Sequence, residues 1–216
     1  MQKKRIRLDL RNIAQNLNKK KMANIGQIWP DVLVPFVNDY NLKLTASDIS
    51  RKTKIPRRTA SRILEKLIKI NLIRYDIDGK NKKYYFDLKD QRINLLINLI
   101  EDYKSLKFSL DERKIFFILE EMMRLRNMVV FGSYAKGNAT PDSDIDVLVI
   151  GGKSEKIRDL ARKQIKQVNL HFSTLKNFES LLKKKNTLAT EIMKNHIIFG
   201  NSQFIELCKR YYRNEI

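Results

Sequence analysis

The sequence is poor in the residues that build disulfide frameworks and metal scaffolds. Its 216 residues include one cysteine, Cys208, and two histidines. A lone cysteine cannot form a disulfide within the chain, and a structural zinc site needs several cysteine or histidine ligands. These shortages exclude an internal disulfide framework, argue against structural zinc, and fit a reducing, intracellular setting.

Long apolar runs are absent as well. No stretch of about 20 apolar residues occurs, so we expect no transmembrane helix and no membrane partner. The opening MQKKRIRLDL carries charges inside its only apolar stretch, unlike a secretory signal. We therefore expect a cytoplasmic protein. An apolar content of 43% is enough to build real cores, which excludes global disorder.

Acidic residues are few relative to basic ones. The chain has 44 Lys and Arg against 24 Asp and Glu, a net charge of +20. Such an excess indicates a polyanionic partner, with a solvated, lysine-rich surface as the alternative. Residues 1–90 hold 22 basic and 9 acidic residues, whereas residues 91–216 hold 22 and 15. The N-terminal part is therefore the first place to look for nucleic-acid binding.

Two short helices, a tight turn and a basic hairpin are predicted in residues 44–90. Pro56 suits the start of the second helix, which we expect over Pro56–Ile70. Apolar residues at helical spacing mark its packing face: Ala60, Ile63, Leu64 and Leu67. Basic residues mark the other face: Arg58, Arg62, Lys66 and Lys69. Asp78-Gly79 between two strand-like runs is a hairpin signal.

This order of elements in residues 29–90 resembles a winged helix-turn-helix domain. The resemblance implies binding to double-stranded DNA, with the second helix in the major groove. The residues it places on base edges are Arg57, Arg58, Thr59, Ser61 and Arg62. The hairpin lysines, Lys80, Lys82 and Lys83, would meet phosphate. The alternative is a winged helix that contacts only protein.

A connector of two helices is expected next. Residues 91–105 carry an apolar stripe made by Ile93, Leu96, Ile97, Ile100 and Tyr103, which Leu95 and Leu99 widen. The stripe suits either the seam of a homodimer or packing between two domains of one chain. Residues 111–126 predict a second amphipathic helix.

Residues 129–150 are the most informative stretch of the sequence. They predict a strand, a glycine turn, a short helix, a loop and a second strand. Gly132 lets backbone approach a ligand closely, Ser133 adds a hydroxyl, and the following amides suit an anion. Asp144 and Asp146 alternate on a strand and therefore face the same side. Two carboxylates beside a phosphate-binding turn predict a divalent-cation site, preferably for Mg²⁺ with substrate phosphates.

Residues 110–200 resemble the DNA polymerase beta-type nucleotidyltransferases, and closely their minimal branch. The resemblance implies that Gly132, Ser133 and Lys136 bind a nucleoside triphosphate, ATP or GTP. It implies that Asp144 and Asp146 hold Mg²⁺ and act in catalysis. The family has a third Asp on a later strand, where this chain offers Asn169, with His171 two residues on. Asn is neutral and no base, so catalytic activity is left open.

The predicted fold class is α+β, with an N-terminal winged helix-turn-helix, connector helices and a C-terminal mixed-sheet, nucleotidyltransferase-like domain. We place the boundaries at 1–28 for a basic arm, 29–90, 91–126 and 127–216. The functional expectation is a DNA-binding protein with a Mg-NTP-binding domain, such as a nucleotide-responsive transcription regulator and a homodimer. The alternative is an active enzyme that moves NMP from NTP to a hydroxyl on protein or RNA, as antitoxin-like members do.

Overall fold

Three helices and a hairpin open the part of the chain that the computed structural model describes, residues 28–200 and 202–216. Their bounds are α1 Trp29–Val37, α2 Ala46–Thr53, α3 Arg57–Lys69, β1 Arg74–Asp78 and β2 Asn81–Tyr85. Apart from Ile28, the predicted basic arm and the opening MQKKRIRLDL lie outside the described residues. Helix α1 continues through Pro35.

Local capping and turn chemistry explain the α2–α3 pair. The Thr45 hydroxyl accepts from the Asp48 amide while the Asp48 carboxylate accepts from the Thr45 amide, a capping box that starts α2. Lys54 ends α2 in the left-handed region, with a φ of 62°. The predicted packing face of α3 is buried. Leu44 and Tyr84 exchange backbone hydrogen bonds and so tie the hairpin to this unit. The elements thus follow the expected order, while the winged-helix assignment stays a prediction.

The connector consists of α4 Gln91–Asp111 and α5 Arg113–Met123. Helix α4 runs past the predicted end at residue 105 because Ser105 and Phe108 are still buried against the rest of the chain. It ends at Glu112, whose φ of −108° and ψ of 50° break the helix. The core of the predicted stripe, Ile93 to Ile100, is buried within the chain, whereas Leu95 and Leu99 on another face are exposed.

A four-stranded mixed sheet forms the centre of the C-terminal half. Its elements are β3 Met128–Phe131, α6 Gly132–Lys136, β4 Ile145–Ile150, α7 Glu155–Arg162, β5 Val168–Ser173, α8 Leu175–Lys183, α9 Thr187–Lys194, β6 Ile197–Phe199 and α10 Ser202–Tyr212. The strand order is β5-β4-β3-β6. Only the β4–β5 pair of this sheet is parallel, and β3 is antiparallel to both β4 and β6. The predicted α+β class with a mixed sheet is confirmed.

The sheet separates two hydrophobic clusters. Met128, Val130 and Val147 point to the side covered by α5 and α7. Phe131 and Leu148 point to the other side, where the cluster extends through α8, α9 and α10 to α4 and the N-terminal helices. The two halves of the chain therefore share one continuous core, and the predicted boundaries at 90 and 126 stay a prediction. Among the helices of residues 28–200 and 202–216, none combines the length and the hydrophobicity that a membrane span requires.

Candidate active site

Strand pairing brings the two aspartates and Asn169 together. Asp146 on β4 lies opposite Phe131 on β3 and opposite Asn169 on β5. Asp144 comes just before β4, two residues from Asp146, so both side chains lie on the same side of the sheet. All three polar residues are half-buried. The structure thus gathers the sequence-predicted carboxylates and the residue expected at the third position.

The Asn169 amide bridges the two carboxylates. Its Nδ2 donates to Asp146 Oδ1 at 3.0 Å and, more weakly, to Asp144 Oδ2 at 3.4 Å. Gln167 Nε2 donates to Asn169 Oδ1 at 3.0 Å and so fixes which end of the amide faces the carboxylates. These N–H groups offset part of the repulsion between the two anions. Sequence reasoning missed Gln167, although its place two residues before Asn169 puts both on one face of the chain.

Gly132 brings the turn after β3 into contact with Asp146. Its φ of +70° lies in the left-handed region, which only glycine adopts without strain. A Cβ at this position would lie 2.3 Å from Asp146 Oδ2, so no side chain fits between the turn and the carboxylate. The glycine turn and the carboxylate pair are therefore adjacent, while their joint role as a nucleotide and metal site stays a prediction.

The remaining residues predicted to bind nucleotide lie on the same short helix. Ser133 is half-buried next to Gly132, and Lys136 ends α6 at the surface. The ammonium group of Lys136 pairs with the carboxylate of Glu191 on α9. No local pattern in the sequence indicates this partner, because 55 residues separate the two.

Two other side chains that are capable of acid–base chemistry, those of His171 and Glu179, contact residues outside the carboxylate pair. The His171 ring packs edge-on against Phe131, with centroids 5.4 Å apart. Glu179 on α8 accepts from Arg210 at 2.7 Å and pairs with Lys183 at 3.4 Å, and these cations lower the pKa of its carboxyl. Within the described residues neither side chain hydrogen-bonds to the carboxylate pair. Asp144 and Asp146 are thus the carboxylates of this cluster.

The donor set fits a hard divalent cation. Among residues 28–200 and 202–216, no group of three or more His, Cys, Asp or Glu residues could hold a metal ion. The carboxylates supply oxygens, and the Asn169 carbonyl becomes a third oxygen donor if the amide rotates by half a turn. Mg²⁺ is held in proteins by one or two carboxylates together with substrate phosphates. The residues present therefore fit Mg²⁺ bound with a nucleoside triphosphate.

The surface predicted to bind DNA is exposed. Arg57, Arg58 and Arg62 on α3 are solvent-exposed, and none makes an ion pair in the described part of the chain. Thr59 and Ser61 are half-buried, while Lys80 is exposed at the hairpin turn.

The other two hairpin lysines have partners. Lys82 donates to Glu65 at 2.9 Å and lies 4.6 Å from the centre of the Tyr75 ring, and Lys83 pairs with Asp78. The arginines and Lys80 are thus the cations of this surface without an anionic partner among the described residues.

Two relatives and one family model match parts of this chain. The chain is 33% identical over 63 residues to a protein of Methanocaldococcus jannaschii described as "Putative protein adenylyltransferase". It is 39% identical over 75 residues to the DNA-directed RNA polymerase III subunit RPC3 of Candida albicans. The two matches cover 29% and 35% of this chain, and 63% and 12% of the respective relatives. No solved structure matches the chain. Residues 112–197, which contain the glycine turn, both aspartates and Asn169, match the family model of the nucleotidyltransferase domain.

Proposed function

We propose that this protein binds a nucleoside triphosphate with Mg²⁺ and transfers its nucleoside monophosphate to a hydroxyl group. The observation that carries the proposal is the contact between the Gly132 turn and Asp146, with Asp144 on the same side of the sheet. The match to the nucleotidyltransferase domain and the adenylyltransferase relative support it. A protein hydroxyl is the acceptor that this relative's name suggests.

In the transfer, the acceptor oxygen forms a bond to the α-phosphorus, and the bond from that phosphorus to the leaving pyrophosphate breaks. Bound Mg²⁺ would offset the negative charge of the triphosphate. Asp144 and Asp146 would hold it, and the backbone amides of the turn that begins at Gly132 would bind the phosphates. The acceptor proton passes to an aspartate oxygen or to water, because the amide of Asn169 cannot take it.

Two labels of the same nucleotide test the proposal. With Mg²⁺, label on the α-phosphate of ATP or GTP should become attached to protein or RNA of a cell extract, whereas label on the γ-phosphate should not. Exchange of both carboxylates, Asp144→Asn with Asp146→Asn, should abolish transfer. Asp142→Asn is the matched control, because Asp142 is exposed in the same loop. Transfer that survives in the double variant would exclude this site.

Calorimetry separates binding from transfer. We expect wild type to bind Mg-ATP or Mg-GTP more tightly than the same nucleotide in EDTA, since a cation relieves the repulsion between the aspartates and the phosphates. The double variant should lose the Mg²⁺ dependence. Binding without transfer would show a nucleotide sensor, and the absence of Mg²⁺-dependent binding would refute the site itself.

A second function, binding of duplex DNA, is favoured by the unpaired arginines of α3. The loss of Arg58 and Arg62 together should weaken specific DNA binding by about 1–3 kcal/mol for each bidentate base contact. A variant that loses Lys114 and Lys163, both exposed in the other half, is the control for net charge. Equal DNA affinity of the arginine variant and wild type would refute the role of α3.

A further inference from the structure

A groove runs along the surface from the end of α6. Its first part, about 670 Å³, lies between Lys136 and the exposed face of α9 that carries Thr187, Glu191 and Lys194. Its second part, about 370 Å³, shares Lys194 with the first and continues past Lys183 to the C-terminal residues. We call this surface the lysine groove and define it by Lys136, Lys183, Lys185, Glu191, Lys194 and Tyr211.

Two of its lysines have no anionic partner. Lys185 and Lys194 are exposed, and neither forms an ion pair within the described residues. Lys136 pairs with Glu191, and Lys183 lies 3.4 Å from Glu179. Asp39 also lines the second part, so four lysines face two carboxylates along the groove. Two of the ammonium groups, those of Lys185 and Lys194, are available to an incoming anion.

The groove begins beside the candidate active site. Lys136 is the last residue of α6, which starts at Gly132. Four residues of helix span about 6 Å, so the first lysine lies roughly one helical turn from the glycine that contacts Asp146. An elongated anion in the groove would thus have one end next to the carboxylate pair.

We propose that the lysine groove binds the phosphate backbone of a single-stranded nucleic acid. Single strands bind in positively charged grooves that combine cations with aromatic rings on which bases stack. Here Lys185 and Lys194 supply the charge, and Tyr211, which is half-buried, lines both parts of the groove. A duplex would need a convex element to enter its groove, such as α3, rather than a concave surface. The groove adjoins the candidate active site, but binding of nucleic acid in it does not depend on the transfer reaction.

Glu191 competes with a bound phosphate for a lysine of the groove, so the proposal predicts opposite effects for variants of Glu191 and of the free lysines. Its carboxylate already holds the Lys136 ammonium group, so a phosphate must compete with it. Removal of the carboxylate by Glu191→Gln should therefore strengthen binding, while loss of the free lysines weakens it. General destabilisation of the fold would not produce opposite effects of this kind.

Fluorescence anisotropy with a labelled single-stranded RNA of about 12 nucleotides is a suitable experiment, because single-strand sites span about 4–16 nucleotides. The variant Lys185→Gln/Lys194→Gln should bind more weakly than wild type. Its plot of log affinity against log salt should be flatter by about 0.7 for each lysine removed. The matched control is Lys156→Gln/Lys163→Gln, which removes the same charge on or beside α7, across the sheet. We expect the control to keep the wild-type slope.

Three results would overturn the proposal: equal loss of affinity in the groove and control variants, weaker binding by Glu191→Gln, or polyglutamate of equal length competing as well as unlabelled RNA. The last result would indicate an acidic protein segment instead. Protection of Lys185 and Lys194 from acetylation by bound RNA tests the site in unaltered protein. Because Asp144→Asn/Asp146→Asn should keep RNA binding while losing Mg-ATP, failure of the groove and failure of the active site are distinguishable.

Discussion

The contact between Gly132 and Asp146 makes Gly132→Ala a sharp test of the candidate site. An alanine held at a φ of +70° costs about 1–2 kcal/mol. In addition its Cβ would lie 2.3 Å from Asp146 Oδ2, where ordinary contact begins near 3.4 Å. The carboxylate must therefore swing away, and an off-rotamer side chain costs about 0.5–1.5 kcal/mol more. We expect the free energy of unfolding to fall by about 1.5–3.5 kcal/mol in total.

Gly137→Ala provides a matched control at the C-cap of the same helix. Gly137 has a φ of +72°, but a Cβ there would meet nothing within 4 Å. The free energy of unfolding of Gly137→Ala should therefore fall only by the backbone cost of about 1–2 kcal/mol. Thermal unfolding should show a fall in Tm of about 2–4 °C for each kcal/mol in a chain of this size. Gly132→Ala should also lose Mg-ATP binding in calorimetry because Asp146 is displaced, whereas Gly137→Ala should retain it.

A double-mutant cycle assigns the extra cost to the contact. In a background of Asp146→Ala the displaced carboxylate is gone, so Gly132→Ala should cost no more than Gly137→Ala does. If Gly132→Ala is no more destabilising than Gly137→Ala in the wild-type background, the turn does not press on Asp146 and the geometric argument for the site is wrong.

Three further predictions concern the third position, a buried charge and self-association. In EDTA, Asn169→Asp should lower Tm by roughly 3–6 °C, because the charge-assisted hydrogen bonds from the amide to the two aspartates, worth about 1.5 kcal/mol, are lost. Added Mg²⁺ should restore the Tm. An unchanged Tm in EDTA would show that the amide does not stabilise the carboxylate pair. Glu101→Gln should cost about 3–5 kcal/mol at neutral pH, since it leaves the buried Lys104 without its carboxylate. The pKa of the Glu101 carboxyl is lowered from its ordinary value of 4.5, so wild type should lose its stability advantage over Glu101→Gln as pH falls below 4.5. Parallel acid-unfolding curves of the two proteins would contradict this role of Glu101. If the protein is a homodimer through the exposed side of α4, Leu95→Glu/Leu99→Glu should yield monomers in sedimentation without loss of Tm, and a wild type that is monomeric at all concentrations would exclude this.

Local sequence signals were enough to predict the centre of the candidate site. Gly132 directly follows β3, and Asp146 is the second residue of β4. The apolar residues of β3 and β4 specify the pairing of these two strands. Asn169 could be placed because β5 follows a single crossover helix. The partners of Lys136 and Asn169 escaped prediction for different reasons. Glu191 reaches Lys136 from a helix 55 residues further along the chain. The spacing of Gln167 and Asn169 places them on one face, but it does not specify that one amide donates to the other.

The connector shows why an amphipathic stripe alone does not identify its partner. From sequence, the stripe of α4 suited a dimer seam and internal packing equally. In the structure its core is buried in the chain because α1 and α10 both pack on α4. The polar residues Glu101, Lys104 and Ser105 extend this buried face, which is why the helix continues beyond the apolar pattern.

Glu101 makes one of the buried polar contacts that join the two halves of the chain. Its Oε1 accepts from Tyr40 OH at 2.8 Å and lies 2.9 Å from His196 Nε2, so one buried carboxylate joins the N-terminal unit to the residue before β6. Burial alone would raise the pKa of this carboxyl, but the charges of Lys104 and His196 and the Tyr40 hydroxyl outweigh burial and lower it. If the N-terminal unit moved away, a buried anion would lose a donor worth about 1.5–3 kcal/mol. Because β6 pairs with β3, the strand that ends at Gly132, the packing of the N-terminal unit and the geometry of the candidate site are held by the same core.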